Sequence, residues 1–164
     1  MADQSIPDLT ADATPTIDDL LYTINDPGDT PVDRKVTLQN LLKLAPHWVD
    51  RGDPSAYDFT AGDFTQDNNW YDLDLSSIVP AGAVAVLLRV GMQDATTDTQ
   101  VSFRKNGNSN VYNAGVFKTV EANIDISGEL MVFCDTNRVI EYRVSQSLTA
   151  LNVLVMGWYI DTVN

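Results

Sequence analysis

The chain has 164 residues, 44% of them hydrophobic, enough for one domain of ordinary size and an appendage. Its 23 acidic and 10 basic residues leave a net charge of −13 and a pI near 4.1. That sign is wrong for a phosphate-tracking nucleic-acid surface or for adsorption to an anionic membrane, both of which need a basic footprint.

Residues 1–16 contain Pro7, Pro15, three Asp and several Thr and Ala without periodicity, so they read as extended until a partner orders them. The start, MADQSIPDLT, has neither a basic region nor an apolar core of the kind a signal peptide carries. Through Asp33 there are eight Asp and no Lys or Arg, an acidic run that reads first as a solvated tail and second as a match for a basic docking surface.

Ile17 to Ala45 has a grammar of its own. Leu20-Leu21-Tyr22-Thr23-Ile24 favours a strand, and Asn25-Asp26-Pro27-Gly28-Asp29 punctuates it, because Pro presets φ and Gly accepts positive φ. Pro31 to Val36 returns as a second strand. Thr37 is placed as an N-cap, Leu38, Leu41, Leu42 and Leu44 follow at helical spacing, and Pro46 stops the helix. A hairpin and a short helix cannot bury a core of their own, so Leu20, Leu21, Tyr22, Ile24, Leu38, Leu41 and Leu42 are the expected attachment or oligomerisation residues.

Pro46 to Asp53 (PHWVDRGD) reads as a linker anchored by Trp48, and its Arg51-Gly52-Asp53 as a chance tripeptide. From Asp58 onward the pattern is β. Tyr57 to Thr60 alternates and Ala61-Gly62-Asp63 turns. Trp70 to Leu75 alternates with Tyr71, Leu73 and Leu75 on one face. Ala83 to Val90 is nearly continuous apolar sequence, as in a strand covered on both faces. Thr99 to Arg104 alternates, and Asn106-Gly107 signals a hairpin. Val116 to Val120 and Ala122 to Ile126 suggest shorter strands, Ser127-Gly128 a turn, and Glu129 to Cys134, Val139 to Val144 and Leu151 to Ile160 three further strands. Eight or nine short strands at this spacing, without a repeat, predict an all-β fold: an antiparallel, jelly-roll-like sandwich behind an extended hairpin–helix segment. The expected divisions are 1–46 for attachment, 47–56 for the linker and 57–164 for the β domain.

Chemistry is thinly represented. His47 is the single imidazole and Cys134 the single thiol, so a Ser-His-Asp triad and a zinc site lack residues, and Cys134, within an apolar run, reads as a buried thiol. Asp63, Asp67, Asn68 and Asn69, and separately Asp94 and Asp98, have the oxygen chemistry for calcium but no EF-hand spacing, and read as solvated loops. No enzyme and no cofactor are expected. The amide-rich loop from Asn106 to Asn113, with Asn108, Asn110 and Tyr112, suits glycan hydroxyls, and Trp70 offers a stacking face. The plainer reading is a hairpin tip built of turn formers.

Residues 6–42 resemble an N-terminal module of tailed-bacteriophage virion proteins, especially tail-fibre and other attached appendages. The pattern D-L-L-Y-x-x-x-D-P-x-x-T-P-x-x-R-K-V-x-x-x-N-L-L, matched from Asp19 to Leu42, carries the resemblance. Tyr71 to Val90 is similar to strand pairs in small β domains of such proteins. The resemblance implies a structural role in the virion with no catalytic residues. It implies a homotrimer assembled in the host cytoplasm, docked on another virion structural protein, with a β knob available for a host surface glycan. Nucleic acid and membrane are not expected partners.

Overall fold

A computed structural model describes residues 46–161 in full and, before them, the backbone of two strands. These two, β1 (Leu20–Asn25) and β2 (Val32–Thr37), pair antiparallel from Leu20 opposite Thr37 to Asn25 opposite Val32. They form the expected hairpin, a sheet of two strands. The helix expected at Leu38, Leu41 and Leu42 lies outside the described residues, and Thr37, expected as its N-cap, is the last residue of β2.

The chain divides into two compact units, Met1–Ala45 and Pro46–Asn164. The second holds nine strands among its described residues: β3 (His47–Asp50), β4 (Phe59–Thr60), β5 (Tyr71–Asp74), β6 (Ala83–Gln93), β7 (Gln100–Lys105), β8 (Gly115–Lys118), β9 (Ile126–Phe133), β10 (Val139–Val144) and β11 (Ala150–Ile160). One sheet has the order β5-β10-β7-β8. The other has β3-β11-β6-β9, with β4 also on β11. All pairs are antiparallel. From β5 to β11 the chain changes sheet at every step except β7 to β8, which makes a jelly-roll sandwich.

The core is the alternate residues of both sheets. Leu73 on β5 and Leu75 just after it, Val101 and Phe103 on β7, and Ile140, Tyr142 and Val144 on β10 face Val86, Leu88, Val90 and Met92 on β6 and Leu151, Val153 and Val155 on β11, all buried. At one end Tyr142 stacks on Tyr71 at 5.9 Å and meets the edge of Phe64 at 4.8 Å, while its hydroxyl accepts from the Thr65 N–H at 2.9 Å. A buried tyrosine is tolerated because its polar end has this partner.

Four expectations are corrected. Residues 47–50 are strand β3, paired with β11, and not linker. β6 is central in its sheet, yet its second face is only partly covered: Val84 and Leu87 are half-buried and Arg89 is exposed. On that face Ala85 is buried, with Tyr159 and Phe133 opposite it on the flanking strands. Ser127-Gly128 does not turn; β9 runs straight through it, and Gly128 is there because the Phe117 ring occupies the place of a Cβ, 2.9 Å away. Asn106-Gly107 does turn, with Gly107 at φ 82° and the Asn108 N–H donating to the Lys105 carbonyl at 3.2 Å. However, β8 begins only at Gly115, so the turn opens an excursion over residues 106–114.

β11 has a long partner, β6, on one side only. On the other, β4 covers Asn152 and Val153, and β3 covers Gly157 to Ile160. The gap between them is filled by side chains. The Arg51 guanidinium forks onto the Asp58 carboxylate, with Nη2 to Oδ1 at 2.7 Å, and Nη1 also donates to the Val155 carbonyl at 3.0 Å. The Asp58 carboxylate accepts from the Val155 N–H at 2.8 Å, and the Arg51 N–H donates to the Met156 carbonyl at 3.1 Å. Each end of the ion pair therefore serves as a surrogate strand. Asp58→Ala leaves a partly buried guanidinium without its counter-charge and the Val155 N–H without an acceptor, and urea unfolding should show a loss of roughly 2–4 kcal/mol. Arg51→Ala should cost a similar amount, and the double variant less than the sum of the two.

Candidate functional site

Three places in the β domain combine exposed or unusual chemistry: the excursion over residues 106–114, the loop around Asp94, and the outer face of the β3-β11-β6-β9 sheet.

At the excursion, Asn108, Asn110 and Tyr112 line one recess of about 420 Å³ together with Gly107, Ser109 and Asn113. Tyr112 is 97% exposed, a ring held fully in water at the tip. Trp70 does not line this recess. It lies over the outer face of the other end of the sheet, with the guanidinium carbon of Arg104 3.9 Å above its ring and that of Arg143 at 5.0 Å. Arg104 is itself buried, paired through Nε with Glu141, and it reaches the Asn110 carbonyl at 3.4 Å. Asn106 donates to Asp72 at 2.9 Å. Trp70 thus supports the excursion through Arg104, by cation–π contact, and three of the four residues singled out for glycan contact share a recess without it.

Around Asp94 the carboxylate is almost wholly buried, and accepts from the Thr99 and Thr96 hydroxyls, the Ala95 N–H at 2.8 Å and the Gln146 amide at 3.2 Å. These donors, Thr99 first, hold it well below the usual carboxylate range against the opposing cost of burial. Thr119 ties the same loop together, donating to the Thr96 carbonyl at 3.0 Å and accepting from the Thr99 N–H. Asp98 pairs instead with Lys118. In the other acidic loop Asp63 accepts from the Thr60 N–H at 2.7 Å, while Asp67 accepts from the Tyr71 hydroxyl, also at 2.7 Å, and from Asn69. The Tyr71 bond lowers the pKa of Asp67 and raises that of Tyr71. Among the described residues no group of three or more His, Cys, Asp or Glu converges. The carboxylates of both loops are turned onto their own chain.

Cys134 is buried and donates to the Ala83 carbonyl at 3.3 Å, and burial raises its pKa. A thiol in that state is a poor nucleophile. Arg51, the first residue of the Arg-Gly-Asp tripeptide, is committed to Asp58.

The outer face of the β3-β11-β6-β9 sheet was not anticipated. Trp48 stands opposite Tyr159, Tyr159 opposite Ala85, and Ala85 opposite Phe133, so one row crosses four strands. The adjacent row is Asp50, Gly157, Leu87 and Met131. Exposure is 39% at Trp48, 40% at Tyr159, 57% at Phe133 and 50% at Met131. Trp48 and Tyr159 meet at 5.4 Å, and the indole lies over Gly157, where a Cβ would come within 2.4 Å of it. The signal available in the sequence was the doubly apolar character of Ala83 to Val90 and of Leu130 to Phe133. A row contributed by residues 48, 85, 133 and 159 becomes visible only with the register.

Of the residues expected to serve attachment, Leu20, Leu21, Tyr22 and Ile24 are on β1, and Leu38, Leu41 and Leu42 are outside the described residues. Among the described residues no helix is long and apolar enough to cross a membrane. In comparison with known proteins, the chain matches no family model, and no curated protein matches it.

The Asp94 loop makes a pH prediction. Its folded pKa lies below the unfolded value of about 3.9, so its stabilisation is complete above about pH 4 and is lost as pH falls through the folded value. Asp94→Asn should lower stability at neutral pH by roughly 2 kcal/mol or more and flatten the pH dependence below about pH 4. Urea unfolding of both forms across acid pH measures this.

Proposed function

We propose that the chain is a structural protein of a tailed-bacteriophage virion, anchored by its N-terminal unit to another virion protein and presenting the β domain as a homotrimeric knob. The role is architectural, without catalysis or cofactor, and its place is the assembled particle. The single observation that carries the reading is the β1–β2 hairpin. The residues resembling the phage attachment module form their own two-stranded sheet, in a unit separate from the β domain. Two strands alone are marginal in water, so such a hairpin is stable when it docks. The β domain has a hydrophobic core of its own, as a carried domain needs.

A second reading, host glycan binding by the knob, is favoured by one feature: Asn108, Asn110 and the exposed Tyr112 around a common recess. Amides and a rigid aromatic at the tip of a domain are the groups that recognise sugar hydroxyls and faces.

Deletion of residues 1–45 should leave a β domain that folds and melts cooperatively, yet fails to enter particles when supplied during infection. Undiminished incorporation of the shortened chain, read by immunoblot of purified virions, overturns the anchoring role. On a glycan array, Tyr112→Ala should abolish any binding with stability unchanged, whereas Trp70→Ala should lower stability by about 1 kcal/mol through its lost cation–π contacts. Absence of signal from the intact chain on host-surface glycans removes the second reading.

A further inference from the structure

We propose that the outer face of the β3-β11-β6-β9 sheet, centred on Trp48, Tyr159, Met131 and Phe133, is the surface through which copies of this chain pack against one another. The inference rests on the oligomer of the reading above and adds where it closes.

Three observations choose a second copy as the occupant. The first is area. At the exposures of these four side chains, roughly 400 Å² of apolar surface stands in water on one face. A standard interface takes about 800 Å² from each partner and is a little over half apolar, so this patch supplies the apolar share of one such interface.

The second is charge. Each chain carries −13, and copies repel wherever acidic surfaces meet. The two rows from Trp48 to Phe133 and from Asp50 to Met131 hold a single charged residue, Asp50, on the edge strand. Beyond them, Arg89 stands opposite Glu129 across β6 and β9, one charge of each sign. Asp50, Arg89 and Glu129 together leave this face a net charge of −1, so a copy of the same chain meets far less repulsion here than the −13 of the whole chain implies. A basic partner, which the acidity of the whole chain would otherwise favour, gains nothing from an uncharged centre.

The third is order. The Trp48 indole is laid over Gly157 and braced by Tyr159, so the largest anchor is already fixed before contact. Aromatic side chains held in one orientation lose little further freedom on association, which is the character of a residue that dominates an interface.

The test uses the full chain. Light scattering at micromolar concentration should give a trimer, and Phe133→Glu should reduce the mass about threefold, because a buried carboxylate has no partner in the uncharged centre. Far-UV circular dichroism should be unchanged, since Phe133 points to solvent in the single chain. Val120→Glu, at a loop position 79% exposed, should keep the wild-type mass. A measurement on the unmodified protein supports this without a variant: Met131 should resist peroxide in the concentrated oligomer and oxidise faster on dilution to monomer. An oligomer that survives Phe133→Glu, with Met131 oxidised equally at all concentrations, overturns the face and leaves the trimer standing. A monomeric wild type overturns both. A wild-type oligomer that loses particle incorporation only on deletion of residues 1–45 separates this surface from the attachment unit.

Discussion

The β domain depends on how β11 is completed. A central strand needs hydrogen-bond partners along both edges, and buried backbone groups without them cost as much as lost hydrogen bonds. β6 supplies one edge over nearly the whole length of β11, but the entering chain supplies only two short strands on the other, with Leu154, Val155 and Met156 between them. Arg51 and Asp58 close that interval. Their own attraction matters less than what each does for the backbone: one donates to the Val155 carbonyl, the other accepts from the Val155 N–H.

That same interval contains a change of register. Val155 is opposite Leu88 and Gly157 opposite Leu87, so Met156 is the extra residue of a bulge. A one-residue insertion exchanges the faces of everything after it. Before the bulge Leu151, Val153 and Val155 point into the core; after it Trp158 packs on the core and Tyr159 points out. Without the bulge Trp158 would face water and Tyr159 the core. The Arg51–Asp58 pair therefore holds the element that aims Tyr159 at Trp48, and local backbone satisfaction sets the composition of a surface several residues away.

The sequence made the fold class legible because strands covered on one face alternate, and Tyr71, Leu73, Leu75, Val101 and Phe103 do so without interruption. The β1–β2 pairing was legible from Pro27-Gly28 for a similar local reason. What failed was non-local. Gly128 reads as a turn residue until Phe117, eleven positions earlier, is known to fill its Cβ position. His47 to Asp50 reads as linker because four residues with mixed polarity form a strand only against β11. The excursion beyond Asn106-Gly107 was compatible with a tight hairpin, and the recess residues were found by composition. The surroundings of Trp70 were not legible either, because the two arginines over its ring are distant in sequence.

The two exposed features meet at β9. Phe133 and Met131 on β9 line a second recess, of about 430 Å³, with Lys105 at the end of β7 and Tyr112 and Asn113 from the excursion. The apolar rows therefore run to the foot of the loop that carries Tyr112. In the proposed assembly the centre of the face is dry and the amide-rich tip lies at its border, where water and polar ligands reach. This arrangement separates the two tasks by chemistry. Fixed aromatics and an uncharged centre suit permanent contact between copies. Asn108, Asn110 and Tyr112, on a segment held to the body largely through Arg104 and Asn106, suit a ligand that comes and goes. Trimerisation would set three such tips side by side, and weak single-site contacts to a repetitive surface then gain from effective concentration without any new bond in the individual site.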